Sequence, residues 1–426
     1  MSKSSHGLLK VNGTAAPKFT SVRNLFERNM NTAAEKNAQL CVYIGQEKVI
    51  DLWTSGPGQD FGPDTLVNIF SSGKSLESIA IAALFGQGLI QYDQPIATYW
   101  PEFSQNGKAD LTVAQLMRHE AGLVAFDVSI KPQDLLRQSI KDNRVGEIIE
   151  RQTPRYPSGV AGQREYHAVT RGWIVNELFR RLDPSNRTIG EYVSQALNGP
   201  LQADAVIGVE QPQLDSVNPV FPLNVGFHLR QTCRPAFLGR PVQHNFFQLA
   251  GNLVGILPNF RRGTARGAPS PIKGLTLDLF NDPSLVMGET PSANTHASAR
   301  GMAKIAATLA NGGQWQGVEI LSPSAWQALH ANPKDAAMGF KTTFTQGGIA
   351  KFSTPTNGSS RLERALNQGR EGFYGWMGLG GSIFQWHPEK QIGFSFVPTS
   401  LHVLDLVNER AKTYQKEVLN CLDATH

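Results

Sequence analysis

Residues 74–85 narrow what this chain can fold into more than any other stretch. Leu76, Ile79, Ala80, Ile81, Ala82, Ala83, Leu84 and Phe85 make the segment apolar almost all round. A helix with no polar face has to sit in the middle of a core. A β-like run, Leu66, Val67, Ile69 and Phe70, leads into it through Ser71-Ser72-Gly73. Ser71 and Lys74 therefore stand at the amino end of a buried helix, three apart and on one face of its first turn. A serine hydroxyl is a weak nucleophile until a base takes its proton. A lysine one turn away, partly desolvated and with its pKa pulled down, is such a base. The helix terminus adds free N–H groups and partial positive charge for a developing oxyanion.

Ser-x-x-Lys alone does not establish that chemistry, because the chain carries it twice. The second copy, Ser270-Pro271-Ile272-Lys273, lies among Gly267, Ala268, Pro269 and Gly274 and reads as a loop with no helix to orient the pair. At Ser71 the pattern by itself also fits a helix-capping serine beside a solvated lysine. The surroundings have to decide.

Composition excludes several classes. With 426 residues, 40% of them hydrophobic, the chain can build one large catalytic unit or two domains. Only 18% of residues are charged, while 41 glycines and 25 prolines point to many loops around a packed core. The net charge of +5 is small and dispersed, which does not suit a nucleic-acid binder. The densest basic patch, Arg261, Arg262 and Arg266, reads as a solvated Gly-rich loop or as a meeting point for an anionic substrate. Three distant cysteines, Cys41, Cys233 and Cys421, have no metal-type spacing, and Cys41 falls in a strand pattern that implies packing. His119-Glu120 lacks the second histidine of a zinc helix, so no metal is expected. The run Gly378–Gly381 is not followed by a helical pattern, so no dinucleotide and no other cofactor is expected. There is no Gly-x-Ser-x-Gly elbow. The first residues hold no apolar export segment and no window spans a bilayer, so the expectation is a cytoplasmic protein with reduced thiols.

Periodicity outlines the architecture. Residues 1–18 read as a flexible lead-in, 21–37 as an amphipathic helix, and 40–44 with 48–53 as a hairpin. Helical patterns and long loops follow to about residue 290, including a short helix at 111–118 and an amphipathic one at 170–182. Tyr166-His167-Ala168 is read as the start of a helix after the Pro157-Ser158-Gly159 loop. Trp376-Met377-Gly378 opens the first strand of a closing hairpin, 380–386 with 391–397, whose turn holds a solvated His387. Residues 401–422 end the chain as an amphipathic helix. The economical fold is α+β: one antiparallel sheet built from both chain ends, flanked by the terminal helices, with a mainly helical subdomain inserted. The expected boundaries are a sheet subdomain of about 19–75 and 290–423 and a helical subdomain of about 76–289, within one catalytic domain spanning 19–423. A cleft between them would have Ser71 at the junction.

The ordered set Ser71-x-x-Lys74, Tyr166 and the Gly-rich strand at Trp376–Ser382 resembles the serine β-lactamase and penicillin-binding-protein superfamily. The likeness is nearest to the class C-like branch of carboxylesterases and eukaryotic β-lactamase-domain proteins. Tyr99-Trp100-Pro101-Glu102-Phe103, His119-Glu120-Ala121-Gly122-Leu123 and Pro291-Ser292-Ala293-Asn294 support it. The resemblance spans about residues 20–420 and implies a β-lactamase/transpeptidase-like fold. It also implies Ser71 as acyl-forming nucleophile, Lys74 and Tyr166 as a shared general base, and the N–H groups of Ser71 and Leu379 as the oxyanion site. His119 and His167 take packing or supporting roles in this reading.

Two departures bear on the substrate. Where β-lactamases of this type carry Tyr-x-Asn, this chain has Ala168, and where they carry Lys-Thr-Gly it has Trp376-Met377-Gly378. Losing the ammonium that meets a substrate carboxylate, and the amide that holds its side chain, removes charge-assisted recognition. A Trp-x-Gly form occurs among the family's esterases. The implied partner is thus a small-molecule ester or acyl substrate, small or apolar, with β-lactam turnover weak or absent. Acyl transfer from the same acyl-enzyme and a self-assembling scaffold are the alternatives, and the sequence leaves the oligomeric state open.

Overall fold

The computed structural model describes residues 9–56, 58–156, 163–235, 240–252 and 267–424. The Arg261–Arg266 patch and the Pro157-Ser158-Gly159 loop lie outside them. Lys10–Ala15 (β1), Ala38–Ile44 (β2) and Glu47–Ser55 (β3) come from the amino end of the chain. Lys334–Ala337 (β4), Lys341–Phe344 (β5), Ala350–Lys351 (β6), Tyr374–Met377 (β7), Ile383–His387 (β8) and Ile392–Pro398 (β9) come from the carboxy end. They form one nine-stranded antiparallel sheet in the order β1-β3-β2-β9-β8-β7-β6-β5-β4. The two ends meet at β2 and β9, where Leu40 faces Phe396 and Val42 faces Phe394.

Both faces of the central strands are buried, which is why β2 reads as a continuous apolar run. Leu40, Val42, Phe394 and Phe396 pack against helices Thr20–Thr32 (α1) and Glu409–Asp423 (α5) through Val22, Phe26, Tyr414 and Val418. Cys41, Tyr43 and Val397 alternate to the opposite face and join the core of the helical half. Helix Ala299–Ala310 (α4) lies directly on that face. At Gly393 a Cβ would overlap the α4 backbone at Ala303 and Ala307, so only glycine admits this approach.

The apolar helix read from the sequence is Lys74–Gly86 (α2), buried from Lys74 to Ala82. It packs on Thr170–Leu182 (α3), and an ion pair with no solvent exposure joins them, Arg171 Nε to Glu77 at 2.9 Å.

Several expectations are corrected. The lead-in is not flexible throughout: Lys10–Ala15 is an edge strand paired with β3 from Lys10–Ser55 to Ala15–Ile50. Its Gly13 and small polar residues hid the strand pattern. α1 ends at Thr32, and α5 starts only at Glu409, because Ser400–Leu401 ahead of it pairs in parallel with Phe221–Pro222 instead of being helical. Strands β4, β5 and β6 carry lysines, threonines and alanines with little apolar alternation and went unread. His387 is buried, not solvated: its ring meets Phe373 edge-on at 5.2 Å and its Nδ1 accepts the Lys390 N–H. Among the described residues no helix is long and apolar enough to cross a membrane.

Candidate active site

Strand Leu66–Asn68 delivers the chain to the site. It pairs with Thr295–Ala297, and the Ile69 N–H donates to Thr295 O at 2.8 Å. Phe70 then takes a left-handed backbone (φ 47), unfavourable for a bulky residue. Its N–H donates to Asn68 Oδ1 at 2.7 Å and its ring packs on Phe280 at 5.0 Å, so the bend is held from both sides. One 3₁₀ turn, Phe70–Gly73, runs straight into α2. Gly73 has no room for a side chain against Thr295 and the Pro291 carbonyl. Ser71 is half-buried while Phe70, Ser72 and Gly73 are buried, so it is the residue of this turn that solvent reaches.

Lys74 is 2% exposed. Its Nζ donates to the Ala168 carbonyl at 2.7 Å and the Ser292 carbonyl at 2.8 Å. Burial pulls its pKa well below the ordinary lysine range; Glu77 opposes the shift and Arg171 adds to it. Glu77 does not neutralise Lys74, being committed to Arg171 and to the Ser292 hydroxyl at 2.5 Å.

Tyr166 lies in the extended segment ahead of α3, four residues before the helix begins at Thr170, so the expected helix start is corrected. Its ring centre is 5.0 Å from Lys74 Nζ. The phenol accepts the Trp376 indole N–H at 3.0 Å and lies beside Ser71. Burial pushes its pKa up, against the pull of Ser71 and Trp376. Neighbouring histidines tether the segment. His119 Nδ1 accepts the His167 N–H at 3.1 Å, while His167 donates from Nδ1 to Glu165 O at 2.7 Å and accepts the Leu123 N–H at 3.1 Å. Burial holds His119 well below the usual histidine range and His167 down to about 3. Both rings are neutral supports at neutral pH.

Trp376 is in β7, a strand of its own that precedes the closing hairpin and pairs with β8. This corrects its expected place in the first hairpin strand. Its indole packs between Tyr166 at 6.0 Å and Phe344 at 5.2 Å. It also borders a cavity of about 520 Å³ lined further by Thr342, Phe352 and Leu366. After Met377 the chain turns through Gly378–Ser382. Gly378 abuts Ile69 O, and the Ser382 hydroxyl donates to that same carbonyl at 2.6 Å. Ser382 Oγ also lies 3.1 Å from Ser72 Oγ. The turn is thus fastened to the segment carrying Ser71. Leu379 is 40% exposed, and among the described residues its N–H has no acceptor.

The structure therefore brings Ser71, Lys74, Tyr166 and Trp376 into one cluster and sets the Gly378–Leu379 turn against it. Ser292, Glu77, Arg171 and Ser382 also support the cluster, without having been assigned a part from sequence. Asn294, noted only for its motif, ties three carbonyls, including Leu285 O at 2.6 Å and Gly288 O at 3.1 Å, and accepts from Asn68. The serine and lysine of the second Ser-x-x-Lys are exposed on a loop, as expected, while Ile272 between them is buried and bridges to Ile130.

A model of the beta-lactamase family matches residues 22–415. The chain belongs to the beta-lactamase family. A family relative, the esterase/beta-lactamase LipL of Mycobacterium tuberculosis, is 28% identical over 400 residues, covering 92% of this chain and 83% of that protein. A penicillin-binding-protein homologue from Caulobacter crescentus superimposes with a TM-score of 0.73 at 25% identity, over 97% of this chain and 100% of that one. A family VIII carboxylesterase gives a TM-score of 0.74 at 23% identity, with the same coverage, and shares the fold. Membership places the chain among the serine β-lactamase and penicillin-binding-protein hydrolases.

Proposed function

We propose that the protein is a carboxylesterase acting on small or apolar esters through an acyl-enzyme on Ser71. The observation that carries this reading is the Trp376 indole hydrogen-bonded to Tyr166. A neutral, apolar ring stands where recognition of a substrate carboxylate calls for a cation. The names of LipL, an esterase/beta-lactamase, and of the family VIII carboxylesterase agree with it.

The chemistry follows from the two bases being different. A neutral lysine amine has two N–H bonds and one lone pair. Lys74 gives hydrogen bonds to two carbonyls, which leaves the lone pair to accept the Ser71 proton. The tetrahedral oxyanion is held by the N–H groups of Ser71 and Leu379. Tyr166, kept as a phenol by burial, donates its proton to the departing alkoxide and recovers one from the Lys74 ammonium. Water then attacks the acyl-enzyme by the reverse relay. A scaffold protein has no chemical use for a buried lysine whose pKa is pulled down in this way.

The test is turnover of p-nitrophenyl esters of graded acyl length, with a chromogenic cephalosporin alongside, by wild type and Ser71→Ala. Ester turnover lost in the variant, and outpacing β-lactam turnover in the wild type, is expected. Ester turnover that persists in folded Ser71→Ala overturns the mechanism. Faster β-lactam turnover overturns the substrate class.

A further inference from the structure

The amino end of α5 reaches back under the turn that carries Leu379. Asn408, the residue that caps α5, is 3% exposed and holds a left-handed backbone (φ 50). Its amide nitrogen donates to two carbonyls of the turn, Gly378 O and Ser382 O, each at 3.0 Å. Two residues on, Arg410 donates to Gly380 O at 2.6 Å and to Ser400 O at 3.1 Å, and is itself paired with buried Glu35. The turn is therefore gripped through its carbonyls by groups in the protein interior.

Gly378 O and the Leu379 N–H belong to the same peptide unit. No peptide bond of the described residues is cis, so that N–H points opposite to that carbonyl. Fixing the carbonyl inward fixes the N–H outward, where no acceptor among the described residues meets it. The Gly381 N–H also reaches Gly378 O, at 3.3 Å. Two donors on one carbonyl polarise the amide and make its N–H a stronger donor.

We propose that Asn408 is a positioning residue for catalysis: by holding Gly378 O it aims the Leu379 N–H at the oxyanion formed on Ser71. The inference rests on the acyl-enzyme reading above. It assigns the role to a side chain remote in sequence from every motif of the site, and Asn408 itself touches no reacting atom.

Asn408→Gly is the sharpest test, because glycine adopts the left-handed backbone without strain and removes only the amide. With p-nitrophenyl butyrate, kcat should fall about 10- to 100-fold, less than losing an oxyanion donor outright. KM should stay within about twofold, since the lost interaction belongs to the transition state. A boronic acid that forms a tetrahedral adduct on Ser71 should bind more weakly by the same factor as kcat/KM. A merely structural role would lower the melting temperature without that parallel. If Asn408→Gly does not fold, Asn408→Asp keeps the shape and replaces the donor by an acceptor, and the same kinetic pattern is expected. Unchanged kcat and boronate affinity in a folded variant, or a raised KM at unchanged kcat, overturns the role. Ser71→Ala separates the two levels: turnover surviving there sinks the acyl-enzyme reading, whereas loss there without loss in Asn408→Gly sinks only the positioning role.

Discussion

The chain writes Ser-x-x-Lys twice and folds it two ways. At Ser71 a short strand, a left-handed Phe70 and one 3₁₀ turn feed a helix buried on all sides, so Lys74 is carried into the core. At Ser270, prolines and glycines leave the serine and Lys273 exposed on a loop. In water a lysine keeps its proton and cannot serve as a base at neutral pH. Burial at Lys74 pulls the pKa of the same side chain well down, towards a range where it can act as a base. The lesson is that the motif supplies only the residues. The greasy helix behind the first copy supplies the burial that the proposed chemistry needs.

That contrast can be broken or sharpened by experiment. The largest effect is Ser71→Ala, which should abolish ester turnover while the melting temperature stays near that of the wild type. Lys74→Ala should follow, with turnover down by about 100- to 10,000-fold, the span of general base catalysis. Tyr166→Phe should cost less than Lys74→Ala yet still about 100-fold, because water can protonate a good leaving group in its place. Near-silence of Tyr166→Phe with a poor leaving group, such as an ethyl ester, would contradict its role as proton donor.

The pH profile adds a subtler effect. Activity requires neutral Lys74, so kcat/KM should fall as pH drops through its depressed pKa and the amine regains its proton. On the alkaline side Tyr166 must keep its proton, and its raised pKa puts that limb above the ordinary tyrosine value. Tyr166→Phe should therefore lose the alkaline limb and keep the acid one in a pH–rate series. The smallest effect is none at all: Ser270→Ala and Lys273→Ala should leave kcat/KM unchanged, and a large loss in either would dissolve the contrast.

Which parts of this were legible depends on how local their signals are. α2 could be read because its apolar residues are contiguous, and Ser71 and Lys74 came with it. Tyr166 and Trp376 were legible only through the order of motifs along the chain. Their mutual hydrogen bond spans 210 positions and has no sequence signature. The Glu77–Arg171 pair was invisible for the same reason, each half reading as one more polar residue of its own helix. β4 to β6 escaped because short strands of lysine, threonine and alanine at this end of the sheet lack apolar alternation. His387 was misread because turn residues are usually wet, and Phe373 covers it only in three dimensions.

The central claim is that burial makes Ser71 a nucleophile through Lys74. Intact mass spectrometry after exposure to a fluorophosphonate probe tests it most directly, with wild type, Ser71→Ala and Ser270→Ala side by side. The account predicts one adduct on the wild type and on Ser270→Ala, and none on Ser71→Ala. An adduct that survives in Ser71→Ala, or a folded wild type that takes up no probe, would contradict it.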